Sequence, residues 1–377
     1  MTNIGPETSV INSKDISVVV QGAVDPILTS QCLTSIRKHL PQAEIILSTW
    51  EDEIVSGLSY DKVILSQAPA SVIVQKSPHI ISNNTNRMIY GVQQGLTLAT
   101  RPYTLKIRTD IILQDADFLR YWDMYPKRQD KFQLFEHRVL NYYLFAPRFN
   151  HRLGHRIPTL FHPSDWMFFG LTQDVKRLFD IPLQPDPEYA LWWANHPKPS
   201  QQIDPWPGVV FRFSPEQYLF YQALRQKFPE ITFDNYFDIT REKEQISRLI
   251  MANNFVILDY RQWHIKMKKY QHRLGTIPRG QTSHVHWQQD YKYFCDPDFK
   301  ISWKDILFKY TQLNIGEIIK AKNIDLEKRL ILAVCPSLYK KHLQKKYAKS
   351  PERLKEKLQK CFLADKLYVY TEDAKNK

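Results

Sequence analysis

Short apolar runs alternate with helical segments over the first 110 residues, and this alternation constrains the fold more than any other feature. Residues 16–20 are a β-branched run closed by Gln21-Gly22, which predicts a buried strand. Residues 26–39 carry Ile27, Leu28, Cys32, Leu33 and Ile36 at helical spacing, and Pro41 ends the helix. Residues 43–48 and 62–66 predict two more strands. Residues 83–100 predict a helix with Met88, Val92, Leu96 and Ala99 on one stripe, and 103–109 a further strand. Such alternation predicts an α/β fold, a mostly parallel sheet covered by helices on both faces. Ligands of such sheets bind at the carboxyl ends of strands, near a switch in strand order. Those ends are Gln21-Gly22, Ser48-Thr49-Trp50 and Arg108-Thr109-Asp110.

Residues 142–163 are rich in Arg, His, Pro and aromatics and read as a long loop, the usual form of a lid. A strand at 167–170 and a helix at 172–179 follow. Eight prolines between 182 and 215 mark an irregular stretch. Ser214-Pro215-Glu216 opens a helix that runs to Lys227, because Ser caps, Pro fits the first turn and Glu suits the positive end. Residues 255–258 predict a late strand. Beyond residue 300 the chain turns helical and basic, with nine Lys or Arg against two Glu between 340 and 360. The expected organisation is therefore one unit over 1–300 and a basic helical region over 301–377. That region suits an anionic membrane surface. A solvated terminal helix packed on the body is the other reading.

The formal charge of +13 favours polyanionic or phosphorylated partners. Aromatic residues make up 13% of the chain, which fits sugar or base stacking as well as core filling. The four cysteines form no CxxC pair, which argues against structural zinc and against a disulfide framework. No GxxxxGK[ST] or GxSxG motif is present. No RNP1, zinc-finger or helix-turn-helix signature appears, so nucleic acid is not the expected partner. The amino terminus lacks a basic segment followed by an apolar run, and no window approaches ~18 apolar residues. The expected location is cytoplasmic, peripheral on the inner face of the cytoplasmic membrane.

The chemistry concentrates at Lys106-Ile107-Arg108-Thr109-Asp110. Side chains alternate along a strand, so Lys106, Arg108 and Asp110 share one side. Burying three such charges unpaired is costly. They make sense beside a diphosphate and a divalent metal, with Asp110 as the hard oxygen ligand. An internal Arg–Asp salt bridge is the alternative. Glycosyl transfer with inversion needs a base, and Asp165 in Ser-Asp-Trp and Glu216 at its helix start are the candidates. Asp165 beside Trp166 is expected to be partly desolvated, which makes it the favoured base or acceptor ligand. Glu216 is expected to stay ionised at the positive helix end. His264 is a possible late metal ligand. His284 and His286, two apart, would share one side of a strand. With no Cys or carboxylate triad nearby, a core or surface role is the favoured reading for these histidines.

Val18-Val19-Val20-Gln21-Gly22, Ser48-Thr49-Trp50, Asn84-Thr85-Asn86-Arg87, Leu105 to Asp110, Ser164-Asp165-Trp166 and Pro215-Glu216-Gln217-Tyr218 occur in this order. Together the set resembles the WavE family of lipopolysaccharide-synthesis proteins, over residues 16–300. That family is similar to glycosyltransferases of the GT-A fold. The resemblance implies a nucleotide-sugar donor and a lipid-linked or oligosaccharide acceptor. It implies Gln21 and Gly22 near the base, Trp50 near base or ribose, Asn86 and Arg87 near the phosphates with Lys106 and Arg108, and Asp110 on Mn2+ or Mg2+. Many GT-A enzymes carry Asp-x-Asp where this sequence has Arg-Thr-Asp, so one carboxylate is missing. An ordinary turn at Gln21-Gly22, a core ring at Trp50 and helix capping by Asn84 or Asn86 are the plain alternatives. The competing function is a noncatalytic membrane-peripheral or polyanion-binding protein.

Overall fold

A computed structural model describes residues 11–75, 81–152, 155–197 and 210–309. The basic segment 340–360, and with it most of the expected 301–377 region, lies outside the described residues. The first half of the fold comprises β1 (Ile16–Gln21), α1 (Pro26–His39), β2 (Glu44–Trp50), β3 (Lys62–Ser66), β4 (Val72–Gln75), β5 (Ile81–Asn83), α2 (Thr85–Thr97), β6 (Tyr103–Arg108) and β7 (Ile112–Leu113). Then come β8 (Val139–Tyr142), β9 (Phe149–Arg152), β10 (His155–Pro158), β11 (Phe168–Leu171), α3 (Thr172–Phe179), α4 (Trp192–Asn195) and α5 (Pro215–Lys227). The described chain closes with α6 (Arg241–Asn254), β12 (Phe255–Leu258), β13 (Ile265–Lys266), α7 (His284–Phe294) and α8 (Trp303–Phe308).

Seven strands form the central sheet in the order β12-β8-β11-β6-β1-β2-β3. Every pair is parallel except those made by β11, which runs antiparallel between β6 and β8. All residues of β1 and β2 are buried, as strands covered on both faces require. This is the mostly parallel, helix-flanked α/β architecture expected of a GT-A-like fold. Local signals set the helices. Asp25 caps α1 by accepting from Ile27 N and Leu28 N at 3.0 and 2.8 Å, with Pro26 in the first turn. Ser214 and Gln217 form a reciprocal capping box at the start of α5.

Two expectations are corrected. The 142–163 segment is not a structureless loop: it holds the β9–β10 hairpin and begins at the end of β8. His284 and His286 lie in α7, not in a strand, because Ser283 caps a helix there. The 100° turn per residue points them apart. His284 is a buried structural group, bonded to Tyr125 and to the Ile257 carbonyl at 2.7 and 2.8 Å. The last described helix is tied to the body by Arg261, which pairs with Asp305 at 2.9 Å. Among the described residues no helix is long and apolar enough to cross a membrane.

Candidate active site

The chain runs outward from β1 through β2 to β3, then returns to pair β6 on the other side of β1. The order therefore switches between β1 and β6. Their carboxyl ends are knitted together: Thr109 N donates to the Gln21 carbonyl at 3.2 Å, and Thr109 Oγ1 to the Ala23 carbonyl at 2.7 Å. Gly22 sits at φ +137°, and a Cβ there would stand 3.0 Å from Thr109 Oγ1, so glycine is needed.

The reversed strand matters most for the site. Phe168 pairs with Lys106 and Leu171 with Tyr103, so β11 enters the sheet at the carboxyl end of β6. The turn just before it, Ser164-Asp165-Trp166, is thereby delivered to the edge that carries Arg108. Asn141 at the end of β8 clamps this turn. Its Nδ2 donates to the Ser164 and Met167 carbonyls at 2.8 and 2.9 Å, and its Oδ1 accepts from Ser164 N at 2.9 Å.

Five charged residues from three chain segments meet here. Lys106 is fully buried, and its Nζ donates to the Asp165 carbonyl. Burial lowers its pKa to about 8, against the opposing pull of Asp165. Arg108 binds Asp110 through two parallel hydrogen bonds of 2.9 Å, and its guanidinium stands 5.7 Å from the Trp166 ring centroid. Glu216, at the start of α5, lies 3.5 Å from His162 Nε2. Burial, then the negative charge of Asp165, pushes the Glu216 carboxyl up to about 8. This corrects the expectation that the helix end keeps Glu216 ionised: desolvation outweighs a helix dipole, whose effect is about 1 kcal/mol. Burial also pushes His162 down to about 4, so that ring is neutral near pH 7. Strongly displaced pKa values gathered at one sheet edge are a functional-site signature.

The remaining candidates are placed differently. Gln21 and Trp50 are buried beneath α2, where a Cβ on Gly91 would stand 3.0 Å from Gln21 and 3.3 Å from Trp50. Asn86 is committed to a neighbouring loop. Its Nδ2 donates to the Gln184 carbonyl at 2.9 Å and its Oδ1 accepts from Gln184 N at 2.6 Å. Arg87 Nε donates to the Pro69 carbonyl at 2.8 Å.

Over residues 16–323 the sequence matches the family described as WavE lipopolysaccharide synthesis. The chain belongs to the WavE family. Membership gives it a role in lipopolysaccharide synthesis, with a sugar donor and a glycan acceptor as its general partners. No curated protein matches it significantly.

This WavE chain holds a second acidic group that the sequence reading passed over. β7 pairs with β13, and Gln114 N donates to the His264 carbonyl at 3.1 Å. That short ladder brings His264 to Asp115 and Asp117, with ligand atoms of all three within 4.8 Å of one another. His264 Nδ1 lies 2.5 Å from Asp115 Oδ2. Two carboxylates and an imidazole form a donor set able to hold a metal ion. Asp110 is less free for that task, since both its oxygens accept from Arg108. The missed signal was plain: Asp115-Ala116-Asp117 is an Asp-x-Asp five residues after Asp110. Asn141 was missed for a different reason, because its role depends on strand pairing.

Proposed function

We propose that this protein is a glycosyltransferase. It moves a sugar from a nucleotide-sugar donor to a lipopolysaccharide or other surface-glycan acceptor. The observation that carries the reading is the meeting of Lys106, Arg108, Asp110, Asp165 and Glu216 at the edge where the sheet changes direction. Arg108, steadied by Asp110 and by the face of Trp166, faces the departing diphosphate. Lys106 holds the turn that presents Asp165. Glu216 is the proton acceptor for the acceptor hydroxyl in an inverting transfer. A carboxyl lifted to about 8 is a stronger base than an ordinary carboxylate, and its pKa is near the working pH. Asp165 raises it further by repulsion and lines the acceptor side. Gln21, Gly22 and Trp50 shape the floor under the nucleotide, and Asn86 and Arg87 hold the loops around it.

In this proposal Asp115, Asp117 and His264 hold Mn2+ or Mg2+, with Asp110 nearby. The metal would neutralise charge on the nucleoside diphosphate leaving group. The catalytic unit spans 1–300. The basic region 301–377 rests on the inner face of the cytoplasmic membrane.

The test is a thermal-shift panel of nucleoside diphosphates and nucleotide sugars, with and without Mn2+, on the full chain. At least one nucleotide should raise Tm, and Arg108→Gln should remove the shift. If no nucleotide raises Tm under any metal condition, the transferase reading fails.

A further inference from the structure

The last described helix presents an apolar face to solvent. Trp303, Ile306 and Leu307 are 68%, 43% and 51% exposed. At 100° per residue the three fall within about 100° of the α8 circumference, so they form one stripe. Asp305 and Phe308 lie on the opposite side and bind the body. Arg261 Nη1 donates to Asp305 Oδ1 at 2.9 Å, and the Arg261 guanidinium stands 3.6 Å from the Phe308 ring centroid. Asp259 anchors that guanidinium in turn, accepting from its Nε and Nη2 at 2.9 and 3.0 Å. The outward side of α8 is therefore fixed. A single exposed apolar residue needs no explanation, but a tryptophan and two aliphatic side chains on one turn of a clamped helix mark a contact surface.

Charge identifies what that surface contacts. Lys300 and Lys304 are exposed and make no ion pair among the described residues. The Lys304 ammonium stands 5.9 Å from the Trp303 ring centroid. The neighbouring carboxylates face other cations: Asp305 meets Arg261, while Asp296 and Asp298 lie 2.8 and 3.9 Å from Lys127. A tryptophan with lysines beside it suits the boundary between lipid headgroups and acyl chains, where the ring enters the apolar edge and the ammonium meets phosphate. A protein partner fits less well, because lysine is depleted from protein interfaces. The basic segment 340–360 of this chain, with nine Lys or Arg against two Glu, would be repelled by the same lysines.

We propose that α8 docks on an anionic membrane surface, with Trp303, Ile306 and Leu307 at the acyl boundary and Lys300 and Lys304 on lipid phosphates. This rests on the membrane location given above to residues 301–377 and supplies the apolar contact that basic charge alone lacks. It does not need the transferase chemistry. The contact also sets an orientation. Arg261, which holds α8, lies three residues before His264, on the loop that completes the Asp115–Asp117–His264 group. An α8 seated on the bilayer keeps that loop near the lipid surface, where a lipid-linked acceptor would arrive.

The experiment is flotation of the full chain with vesicles of phosphatidylcholine, alone or mixed with phosphatidylglycerol. The chain should float with the anionic vesicles and not with the neutral ones. Trp303→Ser and Leu307→Ser should each weaken that binding about tenfold or more, since each removes one inserted apolar side chain. Lys300→Gln and Lys304→Gln should weaken it at low salt and change little at high salt. Brominated phosphatidylcholine in the anionic vesicles should quench tryptophan fluorescence of the wild type, and Trp303→Phe should float yet lose that quenching. All these positions are on the surface, so each variant should keep the wild-type Tm and any nucleotide shift. If the chain floats with neither vesicle, the docking face and the membrane location fall together. If it floats but both serine variants float equally well, or if quenching persists in Trp303→Phe, the location stands and this inference fails. Equal flotation with neutral vesicles would overturn the role of the lysines and with it the proposal. A change of oligomeric state in Trp303→Ser with vesicle binding intact would overturn it too, by giving the face to a second copy. Anionic-vesicle binding lost in the serine variants, without any nucleotide shift in the wild type, would keep the docking face and fell the transferase reading.

Discussion

Glu216→Gln should make the protein more stable at alkaline pH and less active at every pH. Burial and Asp165 raise the folded-state carboxyl from 4.5 to about 8. Between those values the folded protein keeps a proton that the unfolded chain has already released. Stability from this group is therefore complete below pH 4.5 and falls as pH rises through 8. The gap, 8 − 4.5, is 3.5 units. At about 1.36 kcal/mol per unit the full loss is at most about 5 kcal/mol. Glutamine carries no such proton and shows no such slope. His162, held down to about 4 by burial against 6.5 in the unfolded chain, adds an opposite slope between those values, but both proteins carry it and it cancels in their difference. Lys106 acts in a separate window with the opposite sign. Its pKa falls from 10.5 to about 8, so its contribution rises with pH between those values. The assay is thermal or urea unfolding of both proteins at half-unit steps from pH 5 to 8.5. The Tm of the variant minus that of the wild type should climb by several degrees over that range. A flat difference, or one that shrinks with pH, would refute the buried, proton-holding carboxyl. Turnover of the variant should fall about 10²–10⁴-fold, the usual contribution of a general base.

Two further outcomes follow from the geometry. His264→Ala should weaken Mn2+ binding about tenfold or more, since even outer-shell changes at metal sites cost that much; titration of metal-stripped protein reads it, and unchanged affinity would remove Asp115, Asp117 and His264 from consideration. Gly95→Ala should cost about 1–3 kcal/mol in urea unfolding by overpacking α2 against the sheet, because its Cβ would stand 2.4 Å from Val19 Cγ1; an undiminished midpoint would show that helix and sheet are not in close contact there.

The fold was readable where the chain signals locally. Residues 215–227 and 255–258 form their elements within the expected bounds, because a capping serine, a proline or a β-branched run acts on its own neighbours, while 172–179 forms on the apolar stripe of Val175, Leu178 and Phe179 with no capping side chain. β8 gave no such signal. Its four residues become a strand only through pairing with β11 and β12. α6 was legible and passed over: Thr240 caps it and acidic residues fill its first turn. At the site, spacing brought Lys106, Arg108 and Asp110 to notice but misjudged their exposure. Lys106 is sealed, whereas Arg108 and Asp110 keep side-chain exposures of 30% and 23%. The internal Arg–Asp pair weighed as an alternative is present, yet it stands at a sheet edge within reach of solvent. Asp165 and Glu216 were named from separate motifs. Nothing in one dimension showed that Asp165 meets Lys106 or that Glu216 comes within the reach of Asp165.

That approach depends on the direction of a single strand. Four residues of β11 span about 13 Å at 3.3 Å each. Were β11 parallel to β6, its leading turn would sit at the amino edge of the sheet, and Asp165 would be separated from Arg108 by about that length. Running antiparallel, β11 instead places Asp165 and Trp166 over the carboxyl end of β6, against Lys106 and the Arg108 guanidinium. β8 and β12 run parallel to each other and antiparallel to β11 in the register of β8, so they end on the same edge. Asn141 thus reaches the turn from β8, and the chain leaving β12 carries His264 toward Asp115. One reversal in a parallel sheet is enough to bring Asp165 and Trp166 onto the rim that carries Lys106, Arg108 and Asp110. A lysine with no exposure is tolerated in that arrangement because its ammonium finds the Asp165 carbonyl the reversed strand provides.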